Sequence, residues 1–297
     1  MAADDEELDE ELWAPFLALR REDRHAARLR QHVQEDIKRG GRAHLPRRAA
    51  ALSRDQIVAA AIRIADTEGP EAVSMRRIAR ELNAGTMSLY WHIASKEELL
   101  DRMIDTVQGE QLTVEPSGDW RADMRAMAAN SRAALHRHRW MMDFMGGRPP
   151  VGRKSLQNLE RALTSLDGLG LGPAAAVTIA MTIMTYVLGA VLREVQEMNG
   201  ERYLAQQFEG VTEEEKATTL AGFSERIQAS GRYPHMAALF EHGVDPDAAE
   251  TRDERFRYGL DCLLDGIAAR LPPAAPPSPP AASPPAPQTP APQRPTP

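Results

Sequence analysis

The stretch SMRRIARELNAGTMSLYWHIASKEELL, residues 74–100, carries the strongest structural signals of this 297-residue chain. Ser74 is a good N-cap for a short helix over residues 75–82, and the sequence Asn-Ala-Gly at 83–85 ends that helix in a tight turn. A second short helix is predicted over residues 86–93. Two short helices across a turn of about three residues are typical of a helix-turn-helix.

Longer helices are predicted on both sides of this pair. Ser53 and Gln56 form a capping box at the start of the preceding helix, and Ser95 and Glu98 form another at the start of the following one. The four helices together predict an N-terminal domain over residues 51–111.

The rest of the chain also favours helices. Aromatic residues make up 5% of the sequence, and no stretch alternates apolar and polar residues between turn signals as a sheet would require. We therefore predict an all-α protein with a second helical domain over residues 112–271. Its predicted helices cover residues 120–138, 139–145, 154–166, 174–199, 212–228 and 253–271.

Both ends of the chain differ in composition from its middle. The first eleven residues hold seven acids and no base, so the net charge of −7 becomes zero without them. Residues 20–48 carry ten bases against four acids. Residues 1–50 are thus an acidic tip and a basic helical extension, which is either a solvated helical face or an arm that binds nucleic acid. Thirteen of the last 26 residues, 272–297, are proline, which predicts a disordered tail.

A 19-residue run without charge, residues 174–192, approaches the ~20 residues that a membrane span requires. Hydroxyl side chains dilute the run and no basic cluster flanks it, which favours a helix buried on all sides in a bundle or a dimer. The N-terminus is acidic where a signal peptide would be basic, and the single cysteine, Cys262, excludes an internal disulfide. The expected location is the cytoplasm.

The residue types of the predicted helix-turn-helix suit contact with DNA. The second helix of this motif lies in the major groove with its N-terminal residues facing base edges, while neighbouring residues bind phosphates. Hydroxyls can bond several base edges, methionine can cover a thymine methyl, and ring donors or cations can reach the backbone. The ring side chains could instead pack in a small core. The candidate DNA contacts are Arg76, Thr86, Met87, Ser88, Tyr90, Trp91, His92 and Lys96.

The block from Ser53 to Leu100 closely resembles the DNA-binding domain of the tetracycline-repressor (TetR) family of bacterial regulators. The resemblance is carried by the Glu68-Gly69 stop of the first helix, by residues 74–79, and by the ungapped string LYWHIASKEELL over residues 89–100. The turn departs from the family pattern, because Asn83 and Ala84 stand where the family usually has glycine and an apolar residue. Asparagine tolerates the left-handed conformation, so the turn is expected to form.

The resemblance also implies what each part does. Residues 76 and 86–88 would face bases, and residues 90–92 and 96 would bind phosphates. A divergent helical domain would follow, binding a small-molecule effector and pairing two subunits through a four-helix bundle, with the helices from 174 and from 253 as the candidates for the pairing face. The implied partners are a double-stranded DNA operator, a small-molecule effector and a second copy of the chain, with no membrane.

Clusters of methionine and aromatic residues are the candidates for an effector site. Methionine adapts to varied ligand shapes, although such a stripe is more often simply core. The candidate residues are Trp140, Phe144, Met145, Met181 and Met184. His136 and His138 lie two apart, on different faces of a helix, so they are expected to be solvated and no metal site or cofactor is predicted.

These features predict a ligand-responsive transcriptional regulator, a dimeric repressor that a small apolar effector releases from its operator. One alternative is a membrane-associated helical sensor that uses residues 174–192. Another is a small-molecule enzyme, but the sequence has no glycine-rich phosphate loop, serine elbow or spaced Cys/His set, so catalysis is not predicted.

Overall fold

Helices, joined by turns and short loops, make up the described chain. The structure, a computed structural model, describes residues 52–113, 115–145 and 152–272, and no strand occurs among them. The predicted all-α class is confirmed. The predictions for residues 1–50 and 273–297 lie outside the described residues.

Four helices form the N-terminal domain. They are α1 (Arg54–Glu68), α2 (Met75–Glu81), α3 (Thr86–Tyr90) and α4 (Lys96–Glu110), with a 3₁₀ turn at Pro70–Ala72 between α1 and α2. Aliphatic side chains from all four helices, and from the segment after α3, share one core from which solvent is excluded. Its fully buried members include Ile57, Ile64, Ile78, Leu89, Ile93, Leu99 and Met103.

The caps that begin these helices follow the sequence signals closely. Ser53 Oγ accepts from the Gln56 N–H at 3.2 Å and Gln56 Oε1 accepts from the Ser53 N–H at 3.0 Å, which is the predicted capping box. The box predicted before α4 forms only in part. Ser95 Oγ accepts from the Glu98 N–H at 3.1 Å, but the Glu98 carboxylate accepts from the Ala94 N–H at 2.7 Å instead of closing on Ser95.

Seven further helices follow among the described residues. They are α5 (Trp120–Arg137), α6 (Met141–Met145), α7 (Arg153–Thr164), α8 (Pro173–Gln207), α9 (Glu213–Ser230), α10 (Pro234–Glu241) and α11 (Arg252–Ala268), with a 3₁₀ turn at Ala249–Thr251. The sequence did not predict α10, although its Pro234 at the first helical turn is a usual start signal. It also ended α8 at residue 199 instead of Gln207.

α8 is the axis of the second domain. It has 35 residues and packs against α5, α7 and α11. Its buried residues recur every three or four positions, so a single chain covers one stripe of α8 and leaves the other sides exposed. By length and composition this helix is apolar enough to cross a membrane, with a mean hydropathy of 2.0 over a window of which 22% is buried. The buried stripe consists of Ala180, Ile183, Val187, Val191, Glu194 and Glu197.

A buried carboxylate on that stripe ties α8 to α5. Glu194 is 4% exposed and accepts from Arg132 Nε at 3.0 and 3.1 Å and from His136 Nε2. Burial raises the pKa of the Glu194 carboxyl, but the hydrogen bonds from His136 and Arg132 outweigh it, so the pKa lies below its ordinary value. The expectation that His136 is merely solvated is therefore wrong.

Replacing Glu194 by Gln is expected to lower the free energy of unfolding at pH 7 by about 1.5–3 kcal/mol, because the partly buried Arg132 loses a charged hydrogen-bond partner. The depressed pKa means that this contribution is present above the carboxyl's unfolded pKa and is lost as the pH falls through the folded pKa. The gap between wild type and variant should thus close below about pH 4.3. Chemical denaturation across that pH range measures it.

Asp253→Asn is the matched control. Asp253 binds the same guanidinium at 2.7 Å, but its side chain is 77% exposed. Its loss is expected to cost under about 1 kcal/mol. Equal losses from the two variants would contradict a stabilising role for the buried position of Glu194.

Candidate DNA interface and effector cavity

The turn between α2 and α3 sets the direction in which α3 leaves the domain. Ser74 Oγ caps α2 by accepting from the Arg77 N–H at 3.2 Å. At the other end the Ala84 N–H bonds the Ala79 carbonyl at 2.9 Å, as in a Schellman motif. Asn83 has φ 49°, the left-handed conformation that asparagine tolerates. The turn therefore forms without the glycine that is usual in the family.

α3 is held mainly by the buried residues on its inner side and by one contact just after its last residue. Its N-cap is Gly85, which gives no side-chain cap. Leu89 and Ile93 are fully buried and fix the helix against the core. Arg54 Nε of α1 also donates to the His92 carbonyl at 3.2 Å, directly after the helix. These contacts leave the opposite side of α3 open.

The exposed surface around α3 carries the candidate DNA contacts. Met87 is 64% exposed, Tyr90 42% and Trp91 53%, so the two rings do not pack in the domain core. The remaining candidates are on α2, on α3 and at the start of α4. Arg76, Ser88 and Lys96 are exposed, and Thr86 and His92 are half-buried.

Two neighbouring arginines of α2 are in different electrostatic settings. Arg77 donates to Glu68 at 2.6 Å and to Glu81 at 2.9 Å. The hydrogen bond to Glu68, followed by that to Glu81, raises the pKa of Arg77 above its already high value. Arg76 is exposed and forms no ion pair with any described residue. Arg76, like the exposed Arg80 of the same helix, is thus a cation that a phosphate or a base edge can reach.

A cavity of about 360 Å³ lies between α4, α5, α6, α7 and α8. Three of the candidate effector residues, Phe144, Met181 and Met184, are on its wall. α6 ends at Met145, whose side chain lies outside the described part of the structure. The cavity is next to α6 and to the N-terminal half of α8.

The polar groups of the cavity wall were missed by the sequence analysis. Gln108 of α4, Gln111 directly after α4 and Asn158 of α7 contribute carboxamides, and Ser131 of α5 contributes a hydroxyl. Ser131 Oγ donates to Gln111 Oε1 at 2.7 Å. The surrounding wall is mostly aliphatic, methionine and aromatic, so each polar group is a position at which a ligand's orientation can be fixed.

Trp140 is not on the cavity wall. Its ring is buried and its Nε1 donates to Asp66 of α1 at 2.7 Å. His138, expected to be solvated, is also buried, with Nδ1 2.8 Å from Asp66 and Nε2 3.2 Å from Glu110 of α4. His138 and Trp140 therefore attach the second domain to the ends of α1 and α4. The prediction that His138 is solvated is wrong.

α4 also supplies the N-terminal cap of α7. Asp105 Oδ1 accepts from the backbone N–H groups of Lys154 at 2.9 Å and Ser155 at 3.0 Å. Gly152, the N-cap residue, offers no side chain, and a Cβ there would overlap the Asp105 carboxylate. Glycine at 152 thus allows a residue of one domain to cap a helix of the other.

Two regions of the chain match known families. Residues 57–103 match the family described as bacterial regulatory proteins, tetR family, and residues 113–271 match the one described as tetracyclin repressor-like, C-terminal domain. The chain belongs to the TetR family. It is therefore a DNA-binding transcriptional regulator, as the resemblance of its N-terminal domain implies.

Relatives and solved structures agree with this TetR-family assignment. The HTH-type transcriptional repressor DrrR1 of Streptomyces coeruleorubidus is 38% identical over 73% of this chain and 77% of its own length. ActR of Streptomyces coelicolor in complex with actinorhodin shares 27% identity at a TM-score of 0.57, over 76% of this chain and 100% of ActR. ActR in complex with (S)-DNPA shares 30% identity at a TM-score of 0.55, over 74% and 99%.

Replacing Trp91 by Ala is expected to change the free energy of unfolding by less than about 0.5 kcal/mol, because the ring is largely exposed and leaves no cavity. Leu89→Ala, two residues earlier and fully buried, should lose about 2–5 kcal/mol. Urea denaturation of the two variants compares them directly. Similar losses would show that Trp91 is part of the core and would remove it from the DNA interface.

Proposed function

We propose that this TetR-family regulator is a repressor that binds a double-stranded DNA operator through α3 and leaves it when a small molecule occupies the cavity. The observation that carries the proposal is that α4 belongs to both sites. Lys96 begins α4 directly after the α3 region, and Ile104 and Gln108 further along the same helix line the cavity. A change at the cavity can therefore displace the helix that supports the DNA-binding surface.

Roles at the DNA follow from side-chain chemistry and exposure. The hydroxyls of Thr86 and Ser88, the Met87 thioether and Arg76 are assigned to base edges, which their hydrogen-bonding and apolar groups can distinguish. Residues 90–92 and 96 are assigned to phosphates, which fix the register of the protein on the duplex.

The effector is proposed to be a small, mostly apolar molecule with a few hydrogen-bonding groups. Phe144, Met181 and Met184 would contact its apolar body, with the carboxamides of the wall facing its polar groups. The ActR complexes with actinorhodin and (S)-DNPA support a small-molecule effector for this chain. Trp140, which is not on the cavity wall and bonds Asp66, is proposed to support the structure beside the cavity rather than to contact the effector.

The exposed sides of α8 and α11 are proposed to pair with a second copy of the chain. A groove of about 700 Å³ runs between them, with Thr178 and Thr182 of α8 and Gly266 of α11 among its lining residues. A two-fold dimer would place two α3 helices on successive major grooves and would cover the apolar surface of α8. Burial in a dimer interface would explain why α8 is so apolar without requiring that it span a membrane.

The proposed domain boundaries follow from these proposed functions. Residues 51–111 bind DNA, residues 112–271 bind the effector and dimerise, residues 1–50 are an extension and residues 272–297 are a tail. Family membership supports action on DNA in the cytoplasm without catalysis of a reaction.

Specific DNA binding is expected near the gene that encodes the chain, and a gel-shift titration of that region at moderate salt should reveal it. Lys96→Gln should weaken the complex and reduce the slope of log affinity against log salt by about 2, because a dimer loses two phosphate contacts. Lys216→Gln on α9 is the matched control and should leave the slope unchanged. Absence of any specific complex, or the same slope change in both variants, would count against the assignment.

Thr178→Arg is expected to convert the dimer to a monomer, since it places a charge in the proposed apolar interface. Thr219→Arg on α9 makes the same change at an exposed threonine that likewise bonds the carbonyl four residues earlier. Sedimentation equilibrium should show a monomer for the first variant and a dimer for the second. A dimer in both cases would place the interface elsewhere.

A further inference from the structure

One hydrogen-bonded pair of side chains is at once part of the cavity wall and part of the contact between the two domains. Asn158 Nδ2 of α7 donates to the Gln108 backbone carbonyl of α4 at 2.6 Å and to Gln108 Oε1 at 3.0 Å. Both residues line the cavity. A ligand there can reach the atoms that join α4 to α7.

Two other described polar contacts join α7 to α4 or to the residue just after it, and in each of them at least one partner does not line the cavity. Asp105, which caps α7, is not on the wall. Arg161 Nη1 of α7 donates to the Leu112 carbonyl just after α4 at 2.9 Å, and neither of these residues lines the cavity. Among these contacts, the Gln108–Asn158 bond is the one with both partners on the wall.

We propose that the Gln108–Asn158 pair is the latch through which the effector acts, an inference that rests on the proposed repressor function. The effector would be an amphiphile with an apolar body and a hydroxyl or similar group at one edge. A hydroxyl that accepts from Asn158 Nδ2 and donates to Gln108 Oε1 replaces the direct hydrogen bond between the two side chains, and its insertion draws Asn158 Nδ2 away from the Gln108 carbonyl. α4 and α7 are then joined at this point only through the ligand and no longer by a direct hydrogen bond.

A purely apolar molecule of the same shape cannot open this latch. It would leave a carboxamide donor and an acceptor without partners in a largely apolar site, which is unfavourable. The proposal therefore separates occupancy of the cavity from release of the operator. Apolar contacts provide occupancy, and the hydrogen-bonding edge provides the release.

The latch can be opened without any ligand by substitution. Asn158→Leu removes both hydrogen bonds at similar volume and is expected to weaken operator binding by about 10-fold, because α4 is less firmly placed. Gln108→Met removes only the side-chain acceptor and should give a smaller loss. Gln108→Glu keeps an acceptor for Asn158 and should lose less than Gln108→Met. Fluorescence anisotropy with the operator fragment gives these affinities, and thermal unfolding shows whether each variant is folded.

Asn130→Leu is the matched control. Asn130 of α5 also donates a carboxamide hydrogen bond between segments, to Thr113 Oγ1 at 2.6 Å, but it is not on the cavity wall. Its operator affinity should equal that of the wild type. If Asn158→Leu binds the operator as tightly as wild type, or if Asn130→Leu weakens binding equally, the latch is refuted.

Two matched probes test the ligand side. 1-Naphthol and 1-methylnaphthalene have the same apolar body and differ in a hydroxyl against a methyl group. Occupancy is followed by the methyl NMR signals of Met181 and Met184 on the wall. At equal occupancy, 1-naphthol should weaken operator binding by the wild type by about five-fold and 1-methylnaphthalene much less. Asn158→Leu should respond equally to both.

These outcomes separate the two proposals. Failure of the wild type to bind any operator contradicts the repressor function. Operator binding by the wild type with equal effects of the two probes at equal occupancy contradicts the latch alone. This readout also applies if Asn158→Leu does not fold, because the wild-type comparison of the probes needs no variant.

Discussion

Backbone hydrogen bonds between successive turns make α4 a stiff rod, and both domains are fastened to it. Its N-terminal half buries Leu99 and Met103 in the core that holds α3. Its C-terminal half carries Asp105, which caps α7, and Gln108, which lines the cavity. Because the two halves cannot bend independently, the position of α7 and the direction of α3 are physically linked. The coupling needs no chain of intermediate residues beyond this helix.

A second attachment limits how α4 can move. His138 contacts Glu110 at the C-terminal end of α4 and Asp66 near the end of α1, and Trp140 bonds the same Asp66. The N-terminal domain is thus held to the second domain at the ends of two helices. On the proposed function, a domain held in this way would respond to the effector by rotating as a body rather than by local unfolding of one helix. Such a rotation would change the separation of the two α3 helices in a dimer, and that separation must match the spacing of successive major grooves.

The parts of the fold that the sequence predicted are those whose interactions are local. The capping box at Ser53 and the turn at Asn83 involve partners within a few residues, so their residue types suffice. His138 and Asp66 lie 72 positions apart, and Glu194 and His136 lie 58 apart, so their pairing depends on how the helices pack. Clusters of methionine and aromatic residues in the sequence pointed to Phe144, Met181 and Met184, which lie on the cavity wall. The carboxamides Gln108 and Asn158 have no such signal, since on an isolated helix they resemble any solvated residue.

The distribution of charge explains how a chain with a net charge of −7 can bind DNA, which is itself strongly negative. α3 itself, Thr-Met-Ser-Leu-Tyr, contains no charged side chain, so its contacts with bases are short-range and depend on shape. On the proposed assignment, the attraction to phosphates comes from flanking cations such as the exposed Lys96, whereas Arg76 is assigned to base edges. Arg77 contributes less to this attraction, because its ion pairs with Glu68 and Glu81 neutralise its charge. The proposed assignment thus gives selectivity to α3 and Arg76, and gives affinity and its dependence on salt mainly to the other residues on either side of α3.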